Sequence, residues 1–227
     1  MSPARTPTLA GAGVALSAAL VSVAALVDAP RQLVPVATVS AGLLVVAAGV
    51  ALQGNGRYVA GRATSLAGFG IGLAGVGLAA SVPGSLFAQV VLSAGLLGAY
   101  ALLMALYPVR RAWSRPLVVV GTVLLVGAAA LDSVLRGVPV SRLLASVTTA
   151  LVAWDAAERA ITLGEQVGRR ARTATVELLR GGATVAVGVL ACAVSFVAFG
   201  ATPAVLPTTT LALLLAAALV AMAAVSG

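Results

Sequence analysis

Residues 86–107 read LFAQVVLSAGLLGAYALLMALY, twenty-two positions without a charged side chain. A helix needs about 20 apolar residues to cross the hydrocarbon of a bilayer. This stretch is long enough, and Gln89 is its only polar group larger than a hydroxyl outside the tyrosines. If it crosses, the chain is a membrane protein, and the rest of the sequence can be tested against that reading.

Outward from 86–107 the chain repeats the pattern. Apolar runs cover 9–27, 33–52, 65–82, 117–135, 138–154, 183–199 and 205–225. The run at 117 is short unless it continues through Asp132 to Leu135, and the run at 138 carries Arg142 near its start, at a depth from which arginine snorkels to the interface. Turn signals separate the runs: Asp28-Ala-Pro30, Gln53-Gly-Asn-Gly56, Pro83-Gly84, Arg136-Gly-Val-Pro139 and Gly200-Ala-Thr-Pro203. Over its 227 residues the chain is 61% hydrophobic and 9% charged, against roughly 25% charged in soluble domains. So few polar groups cannot clothe a soluble fold. The expected architecture is a single all-α integral-membrane domain over 1–227, a polytopic transmembrane helical bundle of about eight spans. The first run, between Arg5 and Val27-Asp28-Ala29, has the layout of a signal peptide, but its 19 apolar residues exceed the usual 7–15, and it is read as a span.

All fourteen basic residues are arginine; there is no lysine and no histidine. An imidazole base, a Schiff-base lysine and a Walker lysine are therefore absent. The single Cys192 reads as a small buried hydrophobe, since one thiol makes neither an internal disulfide nor a cysteine-rich metal site. No catalytic, cofactor or metal residue is assigned, and no cofactor is expected. With eight crossings, eleven arginines fall on the side that holds both termini and three (Arg31, Arg136, Arg142) on the other. The positive-inside rule then puts both termini in the cytoplasm and the protein in the plasma membrane. The net charge of +8 is spread between apolar runs without a continuous basic face, which argues against nucleic acid.

The third run holds Gly68-Phe-Gly-Ile-Gly72-Leu-Ala-Gly75. Gly68 and Gly72 make a GxxxG, the spacing that lets helices approach closely in lipid. The GxGxxG beginning at Gly70 is not read as a dinucleotide fingerprint: it lies inside a span, and no acid follows before Asp132.

The stretch from Ala153 to Arg180, AWDAAERAITLGEQVGRRARTATVELLR, carries four of the six acids and five arginines. Wound as a helix, Asp155, Glu158, Arg159, Glu165, Gln166 and Arg169 fall on one half, and Ala157, Ala160, Gly164, Gly168 and Ala171 line the other. That small-residue stripe is too thin to anchor in lipid and fits a close helix partner. The expected partner is the returning segment 173–180, giving a cytoplasmic helical hairpin between the sixth and seventh spans, standing clear of the bundle. Most acids have an arginine three or four residues on: Asp28 with Arg31, Asp132 with Arg136, Asp155 with Arg159, Glu165 with Arg169 and Glu177 with Arg180; Glu158 alone has none. The candidate partner-docking residues are Trp154, Asp155, Glu158, Gly164, Glu165, Gln166, Gly168 and Arg169.

Trp154-Asp-Ala-Ala-Glu158, Leu163-Gly-Glu-Gln-Val-Gly-Arg169 and Glu177 before a glycine-rich span resemble the signature of an uncharacterised family of multipass membrane proteins from halophilic archaea. That family is often encoded near MoxR-type ATPases and von Willebrand-type or transglutaminase-like membrane proteins, which implies a part in a membrane assembly. This stretch is more basic than the family pattern, with Arg170 and Arg172. The reading is a non-catalytic scaffold or docking subunit whose partners are the lipid bilayer and a protein at the cytoplasmic face. The alternative is a transporter or channel for a small neutral or lipid-like substrate, since the spans hold few ionisable groups. An intramembrane enzyme would have to rely on carboxylates such as Asp132 and Glu158, which the topology places on opposite faces.

Overall fold

The computed structural model describes residues 7–82, 84–107 and 111–167, with the single positions Gly182 and Ala186. Within these it is helical, with no strand: α1 (Leu9–Ala24), α2 (Leu33–Gly54), α3 (Tyr58–Ser81), α4 (Leu86–Leu106), α5 (Ser114–Arg136) and α6 (Val140–Val167), with short 3-10 turns at Pro30–Gln32 and Arg111–Trp113. Four stretches are long and apolar enough to cross a membrane: Pro30–Gly54, which is α2 with the turn before it, and α3, α4 and α5. The runs at 183–199 (apart from Ala186) and 205–225, the returning segment 173–180, Gly168, Arg169 and Cys192 lie outside the described residues.

Local chemistry sets the helix ends. Pro30 opens the 3-10 turn that leads into α2, where its missing N–H costs nothing. Ser85 caps α4 by accepting from the Ala88 N–H at 3.2 Å. Gln89, one turn in, donates from Nε2 to the Val82 carbonyl at 2.8 Å, so the largest polar side chain of that run serves the end of the preceding helix. α5 runs on through Asp132 and stops where Gly137 takes φ 62°, with its N–H on the Ser133 carbonyl at 3.0 Å. α1 stops at Ala24, short of the expected Val27; the chain then turns, and the Leu26 carbonyl accepts from Arg136 at 3.1 Å.

The helices pair antiparallel. α2 and α3 form a hairpin in which backbone meets backbone. A Cβ added to Gly42 would lie 2.6 Å from the Gly72 nitrogen, and one added to Gly68 would lie 2.6 Å from the Val46 nitrogen and 2.8 Å from the Gly42 carbonyl. Gly68 and Gly72, with Gly75 against Val39, therefore sit in the α2–α3 contact. α4 and α5 repeat the arrangement at Gly98 and Gly121, each facing the other's carbonyl oxygen. In lipid, where apolar contact between helices gains little, such close approach supplies the packing energy. α3 is joined to α4 by Tyr100, whose ring stands edge-on to Phe69 (centroids 6.5 Å apart, 84°) and whose hydroxyl donates to the Phe69 carbonyl at 3.3 Å.

α1 skips α2, its neighbour in sequence, and lies along α6. Fully buried alanines line both helices: Ala12, Ala15 and Ala19 on α1, and Ala150, Ala153, Ala157 and Ala160 on α6. Ser22 and Ser146 meet inside this contact, each hydroxyl reaching the other residue's carbonyl (2.8 and 3.1 Å). α1, α4, α5 and α6 thus form the centre of the bundle, and the α2–α3 hairpin leans against it mainly through α4.

Candidate functional site

The antiparallel pairing sorts the connections between two ends. The start of α1, the turn at 55–57, the start of α5 and the last turns of α6 lie at one end; residues 25–32, 84–85 and 137–139 lie at the other. The first end holds Arg57, Arg62, Arg111, Arg115 and Arg159; the second holds Arg31, Arg136 and Arg142.

At the first end α6 continues unbroken from the apolar run 138–154 into the charged segment as far as Val167. Its small-residue face is covered around Ala160 by α1, while the expected partner, 173–180, lies outside the described residues. Gly11 of α1 packs so tightly on α6 that an added Cβ would come within 2.8 Å of the Ala160 Cβ, and the Thr8 N–H donates to the Ala160 carbonyl at 3.1 Å. Ala156, Ala157, Ala160 and Ile161 are buried. The segment therefore lies within the bundle over 155–161 and does not stand clear of it. Periodicity gives the buried face correctly but cannot name what buries it, because α1 is about 140 residues away in sequence.

Trp154 is half-buried against the core. Asp155 pairs with Arg159 at 2.9 Å, one turn on. Glu165, expected to pair with Arg169, meets Arg115 of α5 at 3.3 Å. Glu158 is half-buried, and burial pushes its carboxyl above the ordinary range; Arg115 pulls it back and Glu165 pushes it up. Glu158, which has no base on its own helix face, thus feels the guanidinium of a neighbouring helix. Gly164 is buried. The Gln166 side chain, Gly168 and Arg169 lie outside what the structure describes.

The other end carries a cluster only partly legible in the sequence. Arg136 sits between Asp132, its expected i+4 partner, and Asp28 of the α1–α2 connection. Asp28 also takes Arg142 of α6 and is not paired with Arg31. Three elements therefore meet on two acids and two arginines. Asp132 is the deepest member, with a side chain 1% exposed; its Oδ2 and the hydroxyl of Ser133 have no hydrogen-bond partner among the described residues. The missed pairs join residues more than 100 apart, and the one hint in the sequence is that both acids flank connections on the same side. Asp132 and Glu158 sit at opposite ends: Glu158 lies sixteen residues, ~24 Å, along α6 from Arg142.

An all-helical bundle with four apolar helices of membrane-crossing length and glycine-to-backbone contacts between them has the construction of a helical membrane protein. The chain belongs to the DUF7519 family, a family of unknown function whose model matches residues 72–222. The match begins inside α3, takes in α4, α5 and α6, and spans both charged clusters except for Asp28. No curated protein and no solved structure matches the chain.

Proposed function

We propose that the chain is a non-catalytic, multipass subunit of the plasma membrane that docks a partner protein at its arginine-rich end, with that end and both termini in the cytoplasm. The observation that carries the reading is the continuity of α6. An apolar helix fixed in the centre of the bundle runs without a break into a segment that presents Arg159 and Glu165 outward from a rigid seat. Ala160 locks that segment to α1, and Arg115 ties it to α5. A docking element benefits from such a frame, because little ordering is left to be done on binding. The distribution of arginines between the two ends supports the orientation. A place in a membrane assembly agrees with the resemblance to haloarchaeal multipass proteins encoded near MoxR-type ATPases.

Site-specific photocrosslinking in intact cells tests this reading. A photoreactive residue in place of Glu165 is expected to capture one defined protein, and the same residue in place of Pro139, at the opposite end, is expected not to capture it. Capture of the same set at both positions, or of nothing at Glu165, contradicts docking.

A further inference from the structure

Four of the described arginine side chains have acids. Arg115, Arg136, Arg142 and Arg159 each lie against a carboxylate. Arg57 and Arg62, at the tip of the α2–α3 hairpin, do not: every described acid lies in the α1–α2 connection, on α5 or on α6. Both arginines are exposed, and Tyr58 between them is 69% exposed. The tip is held in place from below, where the Gly49 and Gly61 backbones touch and Gln53 reaches Ser65 at 3.3 Å.

The helix beneath the tip supplies a second observation. Val59, Arg62, Leu66 and Leu73 recur at helical spacing and share one face. Val59 is 86% and Leu66 71% exposed, and Leu73 is exposed as well. Two guanidiniums without an acid among the described residues therefore stand at the mouth of α3, at the depth where a span meets the interface, with the outward-facing Leu66 and Leu73 running on below Arg62. A soluble anion would use the arginines and ignore the stripe. A phospholipid uses both, because its phosphate meets the planar donors of arginine and its chains lie along the apolar side chains.

We infer that Arg57 and Arg62 hold the headgroup of an anionic phospholipid, against the exposed Val59, with its acyl chains running along Leu66 and Leu73. The inference rests on the membrane reading above but on neither its orientation nor its docking partner.

The test uses the full chain in a neutral detergent, where both ends are open to lipid whichever faces the cytoplasm. Phosphatidylglycerol and phosphatidylcholine with identical chains are titrated in, and retained lipid is counted by native mass spectrometry. The wild type is expected to prefer phosphatidylglycerol about tenfold. The Arg57→Gln/Arg62→Gln variant is expected to lose most of that preference while melting at the wild-type temperature, and Arg57→Lys/Arg62→Lys to keep part of it. Arg31→Gln, at the other end, is expected to keep all of it. Equal retention of the two lipids by the wild type, or an unchanged preference in the double Gln variant, overturns the inference. So does displacement of the lipid by millimolar inorganic phosphate, which would mark a soluble-anion site.

Discussion

The Arg115 guanidinium lies 3.3 Å from the Glu165 carboxylate, joining the first turn of α5 to the last turns of α6 across fifty residues of sequence. The contact shows that the connection into α5 and the charged segment of α6 occupy the same end of the bundle. Its energy is small, because the two side chains are 61% and 52% exposed and water screens the pair. Glu165→Gln is expected to change unfolding stability in detergent by less than about 0.5 kcal/mol. The same substitution is expected to weaken partner capture. A large loss of stability would mean that the pair is structural.

The opposite end behaves differently. Arg136 serves both Asp132 and Asp28, and Asp132 is almost fully enclosed. Arg136→Gln strands a buried carboxylate, a change that typically costs about 3–5 kcal/mol. Adding Asp132→Asn removes the stranded charge, so the double variant is expected to be more stable than the sum of the two single losses implies. Reversible unfolding in mixed detergent–SDS micelles measures the cycle, and strict additivity would contradict the geometry.

The glycines divide into two groups. Gly42→Ala would drive a methyl into the backbone of α3 and is expected to cost about 1–3 kcal/mol, since backbone cannot swing aside. Gly70 and Gly77 lie on the same hairpin with nothing within 4 Å of an added Cβ. Gly70→Ala is expected to be neutral or to stabilise by up to about 1 kcal/mol, through helix propensity alone. Melting temperatures of the variants decide the matter, and equal effects at Gly42 and Gly70 would refute the α2–α3 packing.

Glu158 lies beyond the apolar run of α6 and has a raised pKa, chiefly from burial. A carboxyl that holds its proton more tightly when folded adds stability below its ordinary value of 4.5, and that contribution is lost as pH rises through the raised folded value. Glu158→Gln carries no such titration. The variant is therefore expected to gain on the wild type as pH rises through this window and to hold a constant lead above it. A lead that shrinks with rising pH would show that Arg115, and not burial, governs the site.

What is legible in the sequence is what is local. Run lengths give the helices, including the passage of α5 through Asp132. Helical spacing gives Asp132–Arg136 and Asp155–Arg159, and it separates the charged and small faces of α6. Partners are not legible, because an alanine stripe states how close a neighbour can come without saying which neighbour comes. Chain order points Ala160 at a returning segment, and in the structure it meets Gly11. Spacing points Asp28 at Arg31, three residues on, while Arg136 and Arg142 reach it from more than 100 residues away. Glu165, whose expected partner Arg169 lies outside the described residues, meets Arg115 on α5. The misses at Ala160 and Asp28 are contacts between parts of the chain more than 100 residues apart.

The central claim is that the arginine-rich connections share one compartment, and cysteine labelling in sealed membrane vesicles tests it most directly. In a Cys192→Ser background, Arg57→Cys, Trp113→Cys and Glu165→Cys are expected to react with a membrane-impermeant maleimide only when the cytoplasmic face is accessible. Arg31→Cys and Pro139→Cys are expected to react only from the other face. Labelling of Arg57→Cys and Glu165→Cys from different faces would contradict the account.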